Sequence, residues 1–262
     1  MILQKTVDLN CIPKRIISLV PSQTELLHYF NLEEETIGIT KFCVHPNAWH
    51  QTKTKIGGTK TIHIKKIKEL QPDLIIANKE ENVQAQIEEL AQDYPVWLTD
   101  VNNLDDALKM ITDIGELTNK VKEAGLLVKE INIGFDNLSH KPQTTNHKQK
   151  TAYLIWQKPY MTVGGDTFIN DMLLKCGFQN IFADKSRYPV VTIDDLQIAN
   201  CQLLLLSSEP YPFKQKHIDE LQVQLPGTKI ILANGEFFSW YGSRLLQAPS
   251  YFKQLISQIQ SG

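Results

Sequence analysis

Arginine is scarce in this chain: Lys and Arg together number 27, and only Arg15, Arg187 and Arg244 are arginines. Three scattered guanidinium groups cannot form a bidentate cluster for a polyanionic ligand, so an anionic chelate would depend on Lys41, Lys79 and Lys158. Strong charge of one sign is missing too. The formal net charge is -2 and the isoelectric point about 6.4, which gives no basic field to attract nucleic acid. The four cysteines, Cys11, Cys43, Cys176 and Cys201, show no CxxC spacing, which argues against a disulfide framework or a structural zinc site and is compatible with a reducing compartment. Apolar runs such as Leu203 to Leu206 are far too short to span a membrane. The first twenty residues lack the apolar core of a signal peptide, and no apolar stretch precedes Cys11 to make a lipoprotein signal. The chain as written reads as cytoplasmic, or as periplasmic or surface-anchored if a leader was removed or the start is misassigned. GxSxG, HExxH and P-loop patterns are all missing, and spacing assigns no Ser-His-Asp set.

What is present is an ordinary globular composition, 262 residues with 42% hydrophobic and 21% charged, enough for one large or two modest domains. From Arg15 onward short β-branched runs alternate with helical segments, the pattern of a parallel α/β sheet. Strands are expected at Ile16 to Val20, Thr36 to Ile39, Asp73 to Ala77 and Pro95 to Leu98. Helices are expected at Ser22 to Phe30, His63 to Leu70 and Asn82 to Gln92, the first with Ser22 and Glu25 as a capping box. Leu104, Leu108, Ile111, Leu117, Val121, Ala124, Val128 and Ile131 keep helical spacing without a proline. That predicts one helix of roughly 30 to 35 residues, about 50 Å long. A polar stretch, SHKPQTTNHKQK (Ser139 to Lys150), reads as a surface linker. Alternation then resumes, with strands at Thr151 to Trp156, Gln202 to Ser207 and Lys229 to Ala233 and helices near Thr167 to Cys176, Ile193 to Ala199, Phe213 to Leu225 and Ser243 to Ile259. The segment IKELQPDLIIANKE (Ile67 to Glu80) is echoed by DDLQIANCQLLLLSSE (Asp194 to Glu209), so two similarly built lobes are expected: residues 1–102, a connecting helix over 103–138, and residues 139–262.

The order of these features resembles the periplasmic binding proteins for vitamin B12, haem and iron-siderophores, whose two lobes are joined by one long backbone helix. The resemblance covers nearly the whole chain and rests on RIISLVPSQTELLHYF, KIKELQPDLIIA and TVGGDTFINDMLLKCGFQNIF. It is nearest to the B12-binding branch. It implies two Rossmann-like parallel lobes, no catalysis, a monomer, and a small-molecule metal chelate held between the lobes as the binding component of an ABC uptake system. Family members also present one surface Glu on each lobe to the permease. Here those positions carry Gln84 and Ser239, with Glu81 and Glu236 nearby, which weakens the expectation of a permease partner and leaves a leaderless intracellular relative as the other possibility.

Ligands of parallel sheets gather beyond the C-terminal strand ends. The first-lobe candidates there are Pro21, Ser22 and Gln23, then Phe42, Cys43 and His45, then Gly58. In the second lobe they are Trp156, Lys158 and Tyr160, then Gly164, Gly165 and Asp166, then Glu209 and Tyr211, then Phe237, Trp240 and Tyr241. Aromatic faces suit a large flat corrinoid with amide edges, although aromatic residues at strand ends can also simply fill space. Gly164 and Gly165 could offer bare amides to an anionic or carbonyl group, or form only a tight turn before a helix capped by Asp166. Cys43 and His45 could supply an axial ligand to cobalt, or be a buried thiol and a hydrogen-bonded imidazole. The alternatives are a siderophore or haem, and zinc or manganese held by His45 or His50 with Glu209 or Glu236. Of another class is an enzyme using Cys43 as nucleophile and His45 as base.

Overall fold

The computed structural model describes residues 1–139 and 149–261. Residues 140–148, most of the expected surface linker, lie outside that range. The chain divides into two compact units: Met1–Val101, Asp105–Glu130 and Trp240–Arg244 form the first, and Asn102–Leu104, Ile131–Ser239 and Leu245–Gly262 the second.

The first unit begins with β1 (Ile16–Ser18), α1 (Pro21–Tyr29), β2 (Thr36–Ile39), α2 (Asn47–Thr52) and β3 (Thr54–Lys55). It continues through α3 (Ile64–Leu70), β4 (Leu74–Asn78), α4 (Gln84–Asp93), β5 (Val96–Thr99) and α5 (Leu104–Leu117). All five strands are parallel, in the order β3-β2-β1-β4-β5. Every residue of β1 and β4 is buried, as central strands covered by helices on both faces require. Ile17, Ile75, Ala77 and Val96 pack with Ile67 of α3 and with Ile87 and Leu90 of α4.

The single long helix does not form. The run breaks into α5 and α6 (Val121–Ser139), and α6, about 28 Å long by its 19 residues, contains the point where the first unit ends and the second resumes. The break is a Schellman motif: Asn119 turns left-handed at φ 56°, its amide donates to Glu116 O at 3.3 Å, and the Lys120 amide reaches back to Gly115 O at 2.6 Å. Asn tolerates this conformation better than other non-glycine residues. The helical spacing ran through the corner because Leu117 and Val121 are both placed to continue it.

The second unit contains β6 (Lys150–Leu154), α7 (Phe168–Lys175), β7 (Gln179–Asn180), α8 (Ile193–Ile198), β8 (Leu203–Ser207), α9 (Gln215–Gln224), β9 (Lys229–Ala233), α10 (Glu236–Ser239) and α11 (Ala248–Ser261). Its four strands are parallel in the order β7-β6-β8-β9. The expected echo is real in topology: α3 leads to β4 beside β1, and α8 leads to β8 beside β6. The second sheet is wound like the first with one strand fewer. Ala152, Leu154, Leu204 and Leu206 pack with Leu196 of α8 and Leu221 of α9. Because each sheet is wholly parallel, the loops after its strands emerge at one edge, and that edge carries the candidate residues of each unit.

Candidate functional site

In the first unit, Pro21 opens α1 at the position where its missing amide costs nothing. The capping box is not formed: no side chain caps α1, Ser22 and Gln23 are buried inside its first turn, and Glu25 pairs instead with Arg244, through Nε at 3.0 Å and a second guanidinium nitrogen at 2.6 Å. The Gln23 amide nitrogen donates to Thr99 Oγ1 at 2.6 Å, and Thr99 donates in turn to Ala77 O at 2.9 Å. Asn78 also donates to Thr99 Oγ1, while its own oxygen accepts the amides of Glu80 and Glu81. Asn82 Oδ1 accepts the Asn78 amide at 2.9 Å, so Asn78, Thr99 and Asn82 together organise the ends of β4 and β5. Sequence reading passed over them for the charged Lys79, although the Asn closing an otherwise apolar IIAN run was a visible signal.

Cys43 is fully buried, with Thr24 Oγ1 3.1 Å and Thr40 Oγ1 3.2 Å from its sulfur. Burial pushes the thiol pKa up, the two hydroxyls only partly oppose the rise, and the charge of Glu81 adds to it. This corrects two expectations. A buried, protonated thiol can neither ligate cobalt nor serve as a nucleophile at neutral pH. His45 meets Trp240 edge-on, ring centroids 5.3 Å apart, and the Arg244 guanidinium carbon lies over the same indole, 4.9 Å from its ring centroid. Phe42 is half exposed with Lys41 Nζ 5.1 Å from its ring centroid. Gly58 is buried, and a Cβ there would stand 3.1 Å from the Phe42 ring.

Trp240 and Tyr241 were expected in the second lobe. They belong to the first unit, as part of the returning segment Trp240–Arg244. Tyr241 is buried, its hydroxyl is hydrogen-bonded to Ser22, and its pKa is raised chiefly by burial and then by Glu81 and Glu80. Gly242 follows at φ +136°, a left-handed-side conformation that favours glycine.

In the second unit the chain leaves β6 through Ile155 and folds back, with Ile155 N donating to Met161 O and Met161 N to Trp156 O. Trp156 is 40% exposed and meets Tyr211 edge-on at 5.6 Å. Tyr211 in turn contacts the rings of Phe213 and His217 at 4.7 and 5.6 Å. Lys158 is exposed and Tyr160 half-buried beside this group. Gln157 and His217 were not anticipated, and nothing in their local sequence marks them.

Gly164 and Gly165 do not offer bare amides. Their N–H groups donate to Arg187 O at 2.7 Å and Lys185 O at 3.0 Å, and a Cβ on either would fall about 2.2–2.3 Å from a carbonyl oxygen. They are glycines because another backbone segment lies against them. The cap of α7 is Thr167, which accepts from the Asn170 amide; Asp166 accepts instead from the Arg187 amide at 2.6 Å. Glu209 accepts from Ser239 Oγ at 2.7 Å, and Phe237 stacks on Tyr251 of α11 at 4.6 Å. Among the described residues no group of three or more His, Cys, Asp or Glu side chains is placed to hold a metal ion, and no helix is long and apolar enough to cross a membrane.

A family model described as periplasmic binding protein matches residues 16–227. The chain belongs to that family. An ABC transporter substrate-binding lipoprotein of Bacillus subtilis, YvrC, is 28% identical over 69% of this chain, which spans 59% of that protein. The vitamin B12-binding protein of Pectobacterium carotovorum is 24% identical, covering 95% of this chain and 89% of its own. Among solved structures, the periplasmic vitamin B12 binding protein BtuF of Vibrio cholerae superimposes with a TM-score of 0.78 at 21% identity, over 96% of this chain and 99% of its own. Haem-binding periplasmic proteins share the fold as well. The protein is thus a two-lobed α/β solute-binding protein rather than an enzyme.

Proposed function

We propose that this protein binds a corrinoid or a related flat metal chelate as the binding component of an ABC uptake system. The observation that carries the reading is the Trp156 face, 40% exposed and backed edge-on by Tyr211. A solvent-facing indole at a strand end offers its face to a large flat ligand, which gains apolar area from it. The sequence relatives support the choice of ligand, one of them being a vitamin B12-binding protein along nearly its full length. Of the two residues considered for axial ligation, His45 is the one whose side chain is not sealed in the core.

The relatives are described as a periplasmic protein and as a lipoprotein, and we assign this protein to the same side of the membrane. The permease would meet it through surface acids. Gln84 is exposed at its expected docking position, but Ser239 is half-buried and committed to Glu209 and Gly235 O, so Glu81 and Glu236 are the acids to examine first.

The test is titration of the purified protein with cyanocobalamin and hydroxocobalamin, followed by tryptophan quenching and the visible corrin spectrum, with haem, a ferric siderophore and zinc as comparators. Saturable corrinoid binding, weakened at least tenfold in Trp156→Ala with folding unchanged, is the expected result. Saturation by haem or the siderophore alone would replace the ligand, and an unchanged affinity in Trp156→Ala would remove the aromatic wall from the site.

A further inference from the structure

Behind the Trp156 wall lies a buried histidine whose hydrogen bonds fix its tautomer. His217 is 3% exposed and sits three residues beyond Lys214, the residue that precedes α9. Its Nδ1 lies 2.8 Å from the Lys214 backbone nitrogen. A backbone N–H can only donate, so Nδ1 must accept, and a neutral imidazole then carries its proton on Nε2. The histidine occupies the place that Glu or Gln holds in a capping box. The next link follows from that tautomer. Nε2 is 3.4 Å from the Tyr211 hydroxyl and can only donate to it. Tyr211 therefore sends its own proton to Gln157 Oε1, at 2.7 Å, and the Gln157 amide nitrogen is left facing the Tyr160 hydroxyl at 3.4 Å.

We infer that His217 is a positioning residue for the ligand wall: one backbone N–H sets the direction of a relay through His217, Tyr211 and Gln157 that holds the Trp156 indole in place. The rings run in the same order as the hydrogen bonds. His217 and Phe213 are buried, Tyr211 is half-buried against both, and Trp156 stands outermost on Tyr211. Gln157 adjoins Trp156 in the chain, so the far end of the relay holds the side chain of the residue next to the indole. Sequence contains none of this, because the partners come from the loops after β6 and β8 and from the first turn of α9. The effect on affinity rests on the ligand reading above; the tautomer and the packing of Trp156 do not.

Three readouts test it on the full chain. Two-bond proton–nitrogen correlation spectra of the 15N-labelled protein, with His217 assigned by its loss in His217→Asn, should show an Nε2–H tautomer. A protonated Nδ1 would by itself overturn the relay. The second readout is acrylamide quenching without ligand, which reports Trp156 because Trp49, Trp97 and Trp240 are 1%, 8% and 7% exposed. His217→Asn keeps an acceptor for the Lys214 amide and loses the donor to Tyr211; it and Tyr211→Phe should each raise quenching, and the double variant should be no worse than the worse single. Cyanocobalamin affinity, the third, should fall about fivefold in each single variant, again without adding in the double. Unchanged quenching, or effects that simply add, would show that the residues act independently. If wild-type protein binds no corrinoid, the proposed ligand fails while tautomer and quenching still decide the relay.

Discussion

Buried thiols set the behaviour of this protein at the residue scale. Cys43, Cys176 and Cys201 are all buried and all have raised pKa values, with desolvation as the first cause in each; Cys201 is pushed from 9.0 up to about 11. A group whose folded pKa is raised stabilises the fold fully while pH stays below its unfolded value. That contribution is lost as pH climbs towards the folded value, because the unfolded chain then releases a proton that the folded chain still holds. Stability to urea should therefore fall between about pH 9 and pH 11, and Cys201→Ala should recover about 1–3 kcal/mol of the fall when pH 11 is compared with pH 7. Equal pH slopes in wild type and variant would show that Cys201 ionises alike in both states. The same physics separates what was legible in CVHP from what was not. Its position after a strand could be read from the pattern, but its burial could not: Cys43 faces inward only because Thr24, from α1, and Thr40 close over the sulfur.

Strands were legible at the element scale because each is a short apolar run bounded by polar residues: β2 and β9 fall where expected, and β1, β4, β5, β6 and β8 shift by one or two residues. The two-residue strands β3 and β7 were not, since two residues carry no periodicity. The missed corner between α5 and α6 has a different origin, because helical spacing can persist across a Schellman turn while the backbone changes direction. Gly115 marks that corner. A Cβ there would stand 2.4 Å from Ala124 Cβ and 3.1 Å from Lys120 O, so the turn closes only over a glycine. Gly115→Ala should lower stability by about 1–3 kcal/mol despite the better helix propensity of alanine, with the urea midpoint as the measurement. Gly125, with open space around its Cβ, is the control. Its replacement by alanine should be neutral or stabilising by up to about 1 kcal/mol, and equal effects at the two sites would refute the packing account of the corner.

For the whole molecule, the feature that sequence order conceals is the return of residues 240–244 to the first unit after the chain has built most of the second. Reading the lobes as consecutive blocks assigned Trp240 and Tyr241 to the wrong one. What holds the returning segment is visible in its contacts: Tyr241 meets Ser22, Trp240 meets His45, and Arg244 grips Glu25 with side chains only 12% and 21% exposed. A paired guanidinium and carboxylate in that setting contribute more than a solvated pair, and removing either leaves the other partly desolvated. Arg244→Ala should therefore cost about 1–3 kcal/mol of stability, whereas Lys14→Ala, which removes a pair 3.9 Å apart with its lysine 71% exposed, should cost under about 0.5 kcal/mol. Arg244 also lies over the Trp240 ring; on the proposed reading in which Trp240 takes part in binding a corrinoid, its loss should weaken affinity more than Glu25→Gln does, since the neutral amide leaves the guanidinium over the indole. Denaturation midpoints and corrin titrations on the three variants decide it. Equal losses of affinity in Arg244→Ala and Glu25→Gln would mean that the segment acts through the ion pair alone, and a loss of stability without loss of affinity would mean that residues 240–244 serve the first unit's fold and take no part in holding the ligand.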